Sequence, residues 1–221
     1  MFQSEEMQVA SQAAERLVGD PHPLAVRIGA PFSTDRGLAN AVAPPPGVVD
    51  VPSLAGFLGW YRRELLVPVE FPAIRRAWDH HARYELRELI DLDLRLAQDP
   101  RVCPFAAASR AVGRSQLRRL LPMRDQRLVR RYYEAVDCGR ANGWHVLVYG
   151  VVLGLFSLPL RQGLQHYARQ AVAGFIERAA GPLRLRVATC DRLFEEATVD
   201  LGTDLEAPCG GGRAPNLLIC R

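Results

Sequence analysis

The sequence contains no lysine, so all 28 of its basic residues are arginine. This absence excludes reactions that need a lysine amine, including Schiff-base chemistry and catalysis by a lysine general base. It also excludes a nucleotide-binding P-loop, because that loop uses a lysine to reach the nucleotide phosphates. Any P-loop nucleotide chemistry connected with this chain must therefore belong to another protein.

Cysteine is sparse as well, with five residues that are widely spaced and form no CxxC pair. An odd number of scattered cysteines is not typical of a zinc site or of a disulfide framework. The first residues, MFQSEEMQVASQ, lack the basic start and the apolar core of a signal peptide. We therefore expect the protein to act in a reducing cytoplasm.

Sequence motifs of catalysis are also missing, since the chain has no GxSxG, HExxH, Walker motif or strand-linked GxGxxG. His80 and His81 are adjacent, but neighbours on a helix point about 100° apart and do not converge on one metal ion. We predict that His81 is buried and His80 solvated. An alternative is a helical metal-binding or ligand-binding protein, or enzyme, that uses His145 and His166 on neighbouring predicted helices. The scarcity of catalytic motifs favours a scaffold protein over an enzyme.

The charge pattern gives no sign of a nucleic-acid partner. The formal net charge is a modest +4, and basic and acidic residues are interleaved along the chain. A nucleic-acid surface normally shows a concentrated basic stripe instead. With 48% hydrophobic residues, the chain has ample material for a core.

The most apolar stretch, which has no charged side chain between Trp144 and Leu160, lies within residues 143–179. Its 17 residues are at the lower edge of a membrane span, for which about 20 apolar residues are usual. His145 near its start and Pro159 near its end favour two successive helices buried in protein. A membrane-associated segment is the alternative.

The rest of the chain also shows helical spacing. We predict a helix that begins at Val51 after the N-cap Asp50 and ends at Pro68, and a long helix from Pro72 to Ala97. Residues 183–201 fit a strand or a helix, and helix is favoured because no partner strand is evident. The prediction is an all-α, single-domain bundle of about seven to nine helices over residues 1–201, with a flexible tail at 202–221.

Three blocks of this sequence follow one another in order: GAPFSTDRGLANAV at 29–42, ASRAVGRSQLRRL at 108–120, and the apolar and amphipathic helices of residues 143–180. Together they resemble the UreF family of urease accessory proteins. The first block departs from the family pattern by an extra Pro31 and by Ala39 where glutamate is usual, and the family's Leu-Gly-Gln turn is replaced by RVATCDRLF.

The resemblance implies a non-catalytic, all-α scaffold that assists nickel insertion into apo-urease. Its implied partners are a UreD-type accessory protein, a UreG-type GTPase and the urease apoprotein, with a homodimer inside the complex. It implies no cofactor in this chain, because the partners handle nickel, and no nucleic-acid or membrane partner. The expected partner-binding residues are Gly29, Phe32, Ser33, Gly37 and Leu38 in the first block and Ser109, Arg110, Gly113 and Arg114 in the second.

Overall fold

The computed structural model describes residues 22–28, 47–122 and 127–206, and in these ranges every regular element is a helix. The all-α prediction is confirmed. A short 3-10 turn, Pro23–Arg27, precedes the main helices. The α-helices are α1 Val51–Tyr61, α2 Phe71–Ala82, α3 Leu86–Leu96, α4 Ala106–Leu120, α5 Arg127–Asp137, α6 His145–Leu155, α7 Leu160–Ala180, α8 Val187–Thr198 and α9 Leu201–Glu206.

The first helix begins as predicted but does not end at Pro68. The Asp50 carboxylate accepts the backbone N–H of Ser53 at 2.8 Å, which caps α1. Beyond α1 the chain continues as a π-helix, Arg62–Glu70, that contains Pro68 and leads directly into α2. Wider turns with i→i+5 hydrogen bonds carry the chain past the proline, so the predicted stop at this position was wrong.

The predicted long helix from Pro72 to Ala97 is wrong too, because it is two helices. The break follows α2 at Arg83, and Tyr84 adopts a positive φ of 57°. The His80 ring, which was expected to be solvated, lies 2.8 Å from Glu85 across the break and is only partly exposed. His81 is buried, as predicted.

The core is centred on α6, which is buried on nearly every side from His145 to Leu153. The helix α2 packs closely against it at Gly150, where an added Cβ would overlap the carbonyl oxygen of Ile74 and lie 2.8 Å from the Ala77 Cβ. Only glycine permits this approach of two helices. The prediction that the first helix of the apolar stretch is buried in protein is therefore confirmed.

The later helices complete the bundle around α6. The amphipathic helix expected after Pro159 is α7, which packs against α8 and contacts α2. Helix α8 settles the choice between strand and helix in favour of helix from Val187 onward. Helix α9 continues to Glu206, so the first part of the predicted tail is helical, and residues 207–221 lie outside the described part. None of the described helices has the length and apolar character needed to cross a membrane.

Candidate functional site

The second sequence block lies on α4 and divides between two sides of that helix. Ser109 and Gly113 are four residues apart and buried, whereas Arg110 and Arg114 follow each of them and are exposed. Residues four apart share one side of an α-helix, so the motif gives α4 a small inward side and a charged outward side. A partner that docks on the outward side of α4 would contact Arg110 and Arg114.

The inward side of α4 packs against the start of α6. A Cβ on Gly113 would overlap the carbonyl oxygen of Gly143 and lie 2.9 Å from the backbone nitrogen of His145. The Ser109 hydroxyl lies 2.7 Å from Nδ1 of His145. The second and third sequence blocks are therefore joined through direct contacts.

A chain of buried polar side chains begins where the 3-10 turn meets the core. Nδ1 of His22 accepts the backbone N–H of Leu24 at 3.1 Å, so the neutral imidazole carries its proton on Nε2. That Nε2–H donates to Oε1 of Glu70 at 2.8 Å. The Tyr61 hydroxyl donates to Oε2 of the same carboxylate at 2.6 Å.

The π-helix explains how Tyr61 and Glu70 come together. In an α-helix, positions nine apart lie about 180° apart around the axis, because each turn has 3.6 residues. The wider π turns hold about 4.4 residues each, so nine residues make about two turns and both side chains lie on one side. The departure from α-helical geometry is therefore what allows the Tyr61–Glu70 hydrogen bond.

A second set of buried hydrogen bonds runs through His145. Its Nε2 lies 2.9 Å from the hydroxyl of Tyr167, which interacts with the Glu70 charge. One proton assignment fits these contacts: Ser109 donates to Nδ1 of His145, and Nε2–H of His145 donates to Tyr167. Both imidazoles are then neutral and Glu70 is the one anion. We call this set the buried network: His22, Tyr61, Glu70, Ser109, His145 and Tyr167.

Three members of the buried network are potential metal ligands. Donor atoms of His22, Glu70 and His145 lie within 4.8 Å of one another, and imidazole and carboxylate are ligands for several transition metals. A metal on Nε2 of His22 would have to displace its proton while Nδ1 still accepts from Leu24. The hydrogen-bond directions therefore suit a proton network better than a metal ion.

Burial keeps His145, Tyr61 and Tyr167 uncharged near neutral pH. Burial lowers the pKa of His145 well below its ordinary value of 6.5, and the neighbouring His22 lowers it further. Burial and the Glu70 charge raise the pKa of Tyr61 and Tyr167 well above 10. These residues are too deeply buried to exchange protons with a substrate at the surface.

The free energy of unfolding should fall as the pH drops below about 6.5. His145 gains a proton on unfolding in that range but stays neutral when folded, so the unfolded state binds more protons. The pKa of His81 is also lowered by burial, so His81 likewise reduces the free energy of unfolding as the pH falls. Each imidazole contributes at most about 1.4 kcal/mol per pH unit. Urea unfolding at pH 7.5, 6.5 and 5.5 measures the slope.

The variant His145→Gln should make that slope shallower, because it removes one titrating imidazole while keeping an N–H donor for Tyr167. The matched control is His166→Gln, which makes the same substitution at an exposed histidine on α7. An equal pH slope in the native chain and in His145→Gln would contradict the lowered pKa of His145.

A second buried carboxylate holds the turn that precedes α6. Asp93 on α3 accepts the backbone N–H of Asn142 at 2.6 Å, that of Gly143 at 2.8 Å, and the Tyr132 hydroxyl at 2.7 Å. These bonds fix the chain at the point where α6 begins. Asp93 thereby places His145, two residues beyond Gly143, against Ser109.

The sequence-based pairing of His145 with His166 is wrong. His166 is exposed, and its neighbour Tyr167 is the α7 residue that meets His145. The imidazole that does approach His145 is His22, with ring centroids 5.0 Å apart. Sequence reasoning missed His22 and Glu70, although a glutamate in the apolar surroundings Val67 to Phe71 was a usable signal.

The first sequence block follows the 3-10 turn directly. Its expected partner-binding residues lie outside the described part of the structure, and their role stays a prediction: Gly29, Phe32, Ser33, Gly37 and Leu38.

Comparison with known proteins identifies the chain's relatives. A model of the UreF family matches residues 48–180, which is more than half of the chain and covers α1 to α7. No curated protein sequence matches it. The matched range includes both the Ser109–Arg114 motif on α4 and the central helix α6. The protein therefore belongs to the UreF family of urease accessory proteins.

Proposed function

We propose that this protein is a non-catalytic scaffold for urease activation, which bridges a UreD-type accessory protein and a UreG-type GTPase while nickel enters apo-urease. The observation that carries this proposal is the family match over residues 48–180. Nickel is the cargo of the complex, and the partners handle it. The scaffold acts in the cytoplasm and forms a homodimer within the complex.

The chemistry of the chain supports a scaffold role. Without lysine it lacks a P-loop, so GTP hydrolysis belongs to the partner. Its best-organised polar cluster, the buried network, is closed by hydrogen bonds between protein groups. That cluster ties the 3-10 turn to α4, α6 and α7 and so holds the shape of the bundle.

Two regions are proposed to form the partner surface. The first is the sequence block at residues 29–42, with Gly29, Phe32, Ser33, Gly37 and Leu38. The second is α4, where Arg110 and Arg114 present forked donors to a partner while Ser109 and Gly113 secure the helix from inside. The His22–Glu70 hydrogen bond anchors the chain just before the first of these regions.

Co-purification tests the proposal. The tagged full chain is expressed with a UreD-type protein and a UreG-type GTPase, and we expect all three to elute as one complex in size-exclusion chromatography. Two results together would refute the scaffold role. The chain would elute without either partner, and urease would mature normally in cells that lack the chain.

A second candidate function rests on the closeness of His22, Glu70 and His145, which resembles a metal site. Metal analysis of the purified chain separates it from the first. We expect no stoichiometric nickel or zinc, since the hydrogen-bond directions oppose a metal ion. Stoichiometric metal that disappears in His145→Gln would establish the second function instead.

A further inference from the structure

The positive charge of this chain is concentrated in one region. Residues 106–142 contain nine arginines and three acidic residues, a net charge of +6, whereas the remaining residues together carry −2. The expectation of evenly interleaved charges was therefore wrong. This segment of the sequence carries α4 and α5.

Three of these arginines form a row on α4. Arg110, Arg114 and Arg118 are all exposed and are spaced by four residues, so they follow one side of the helix at intervals of about 6 Å. Helix α4 contains no aspartate or glutamate. Like charges at this spacing destabilise a helix slightly.

Each arginine of this row is held by neutral groups. Arg110 lies 5.7 Å over the Trp144 ring and 3.5 Å from the Asn142 side-chain oxygen. Arg114 donates to the carbonyl of Val136 at 3.1 Å, and Arg118 donates to the Tyr133 hydroxyl at 3.3 Å.

These contacts orient the guanidinium groups without neutralising them. In the described ranges, no carboxylate forms an ion pair with any of the three. Asp137 on α5 attracts Arg118 electrostatically, but its side chain is exposed and forms no ion pair with it. The row is thus a set of ordered positive charges that face solvent.

We propose that Arg110, Arg114 and Arg118, which we call the arginine row, dock an acidic helical segment of a partner protein in the urease activation complex. This inference rests on the proposed function, because that function supplies a protein partner. Carboxylates placed every fourth residue on a helix match the spacing of the row. The guanidinium of an arginine donates two parallel hydrogen bonds to a carboxylate. The row is about 12 Å long, which suits a short helix better than a nucleic acid.

Charge reversal tests the arginine row. Affinities of the full chain for the UreD-type protein and for the GTPase are measured separately at three salt concentrations. We expect Arg114→Glu with Arg118→Glu to weaken one of the two interactions about tenfold at low salt and to flatten its salt dependence. The matched control, Arg87→Glu with Arg178→Glu, makes the same change in net charge at exposed positions on α3 and α7 and should stay within about twofold of the native chain.

Two milder double variants distinguish a loss of binding contacts from a loss of folding. Arg114→Gln with Arg118→Gln keeps side-chain N–H donors for Val136 and Tyr133 and should weaken the same interaction about threefold. Arg114→Lys with Arg118→Lys keeps the charge and should recover part of the affinity. Circular dichroism verifies that each variant retains the helical content of the native chain.

The outcomes separate this inference from the proposed function. A native chain that binds neither partner overturns both. A native chain that binds, with all variants binding equally well, overturns the arginine row alone. Tight binding of duplex DNA that the charge-reversal variant loses, while its partner affinities are unchanged, also overturns it and assigns the row to nucleic acid.

Discussion

Replacing Gly113 by alanine should destabilise the protein by about 3 kcal/mol or more, since overpacking against a rigid neighbour costs at least the upper part of the usual range. The new Cβ would overlap the carbonyl oxygen of Gly143, which is backbone and unable to rotate away. Gly143 is itself held by the Asp93 carboxylate, so α4 has to move away from α6. Urea unfolding of the purified variant measures the loss.

The control for this variant is Gly174→Ala on α7, where an added Cβ meets nothing within 4 Å. In an open helical position, alanine is favoured over glycine by about 0.5–1 kcal/mol. Opposite signs for the two glycine substitutions would support the close approach of α4 and α6. A Gly113→Ala variant as stable as the native chain would show that the two helices do not meet this closely.

Replacing Glu70 by glutamine should destabilise the protein by about 3 kcal/mol, because a buried hydrogen-bonded anion is lost and buried donors remain. The carboxylate accepts hydrogen bonds from His22 and Tyr61. A glutamine side chain has only one acceptor oxygen and directs N–H groups at the remaining donors. Thermal and urea unfolding measure the change.

Two further variants make this prediction specific. Glu177→Gln removes a carboxylate from the exposed side of α7 and should change stability by less than about 0.5 kcal/mol. Tyr61→Phe removes one donor to Glu70 and should be much less harmful in the Glu70→Gln background than alone. Additive effects of Glu70→Gln and Tyr61→Phe would contradict a shared hydrogen bond.

The central helices were predictable because their signals are local. The absence of charge between Trp144 and Leu160 marked the buried helix α6, and Pro159 marked the break before α7. The Asp50 carboxylate and Pro52 marked the start of α1 in the same way, since a cap depends on residues within one turn. These features need no information from distant parts of the chain.

Helix boundaries failed where tertiary packing overrode a local rule. Pro68 normally ends a helix, but here the chain widens into π turns and keeps Leu65, Leu66 and Val69 in the core. The opposite happened at Tyr84, where a stretch with helical periodicity breaks at a residue with positive φ. Neither outcome follows from the residues next to it.

The candidate site was predictable only in part because its members are distant in sequence. His145 and Ser109 were singled out, but their contact joins positions 36 residues apart. The His22–Glu70 contact spans 48 residues and connects an irregular segment to a π-helix. The sequence analysis named Arg110 and Arg114 as part of a family motif, and the structure places Arg118 with them on one exposed side of α4.

The nickel content of urease tests the central claim most directly. Urease is purified from cells that carry or lack this chain, and its nickel is measured per subunit together with its activity. We predict that cells without the chain accumulate the urease subunits but that these contain little nickel and have little activity, and that the full chain restores both. Fully nickel-loaded, active urease from cells that lack the chain would contradict the account.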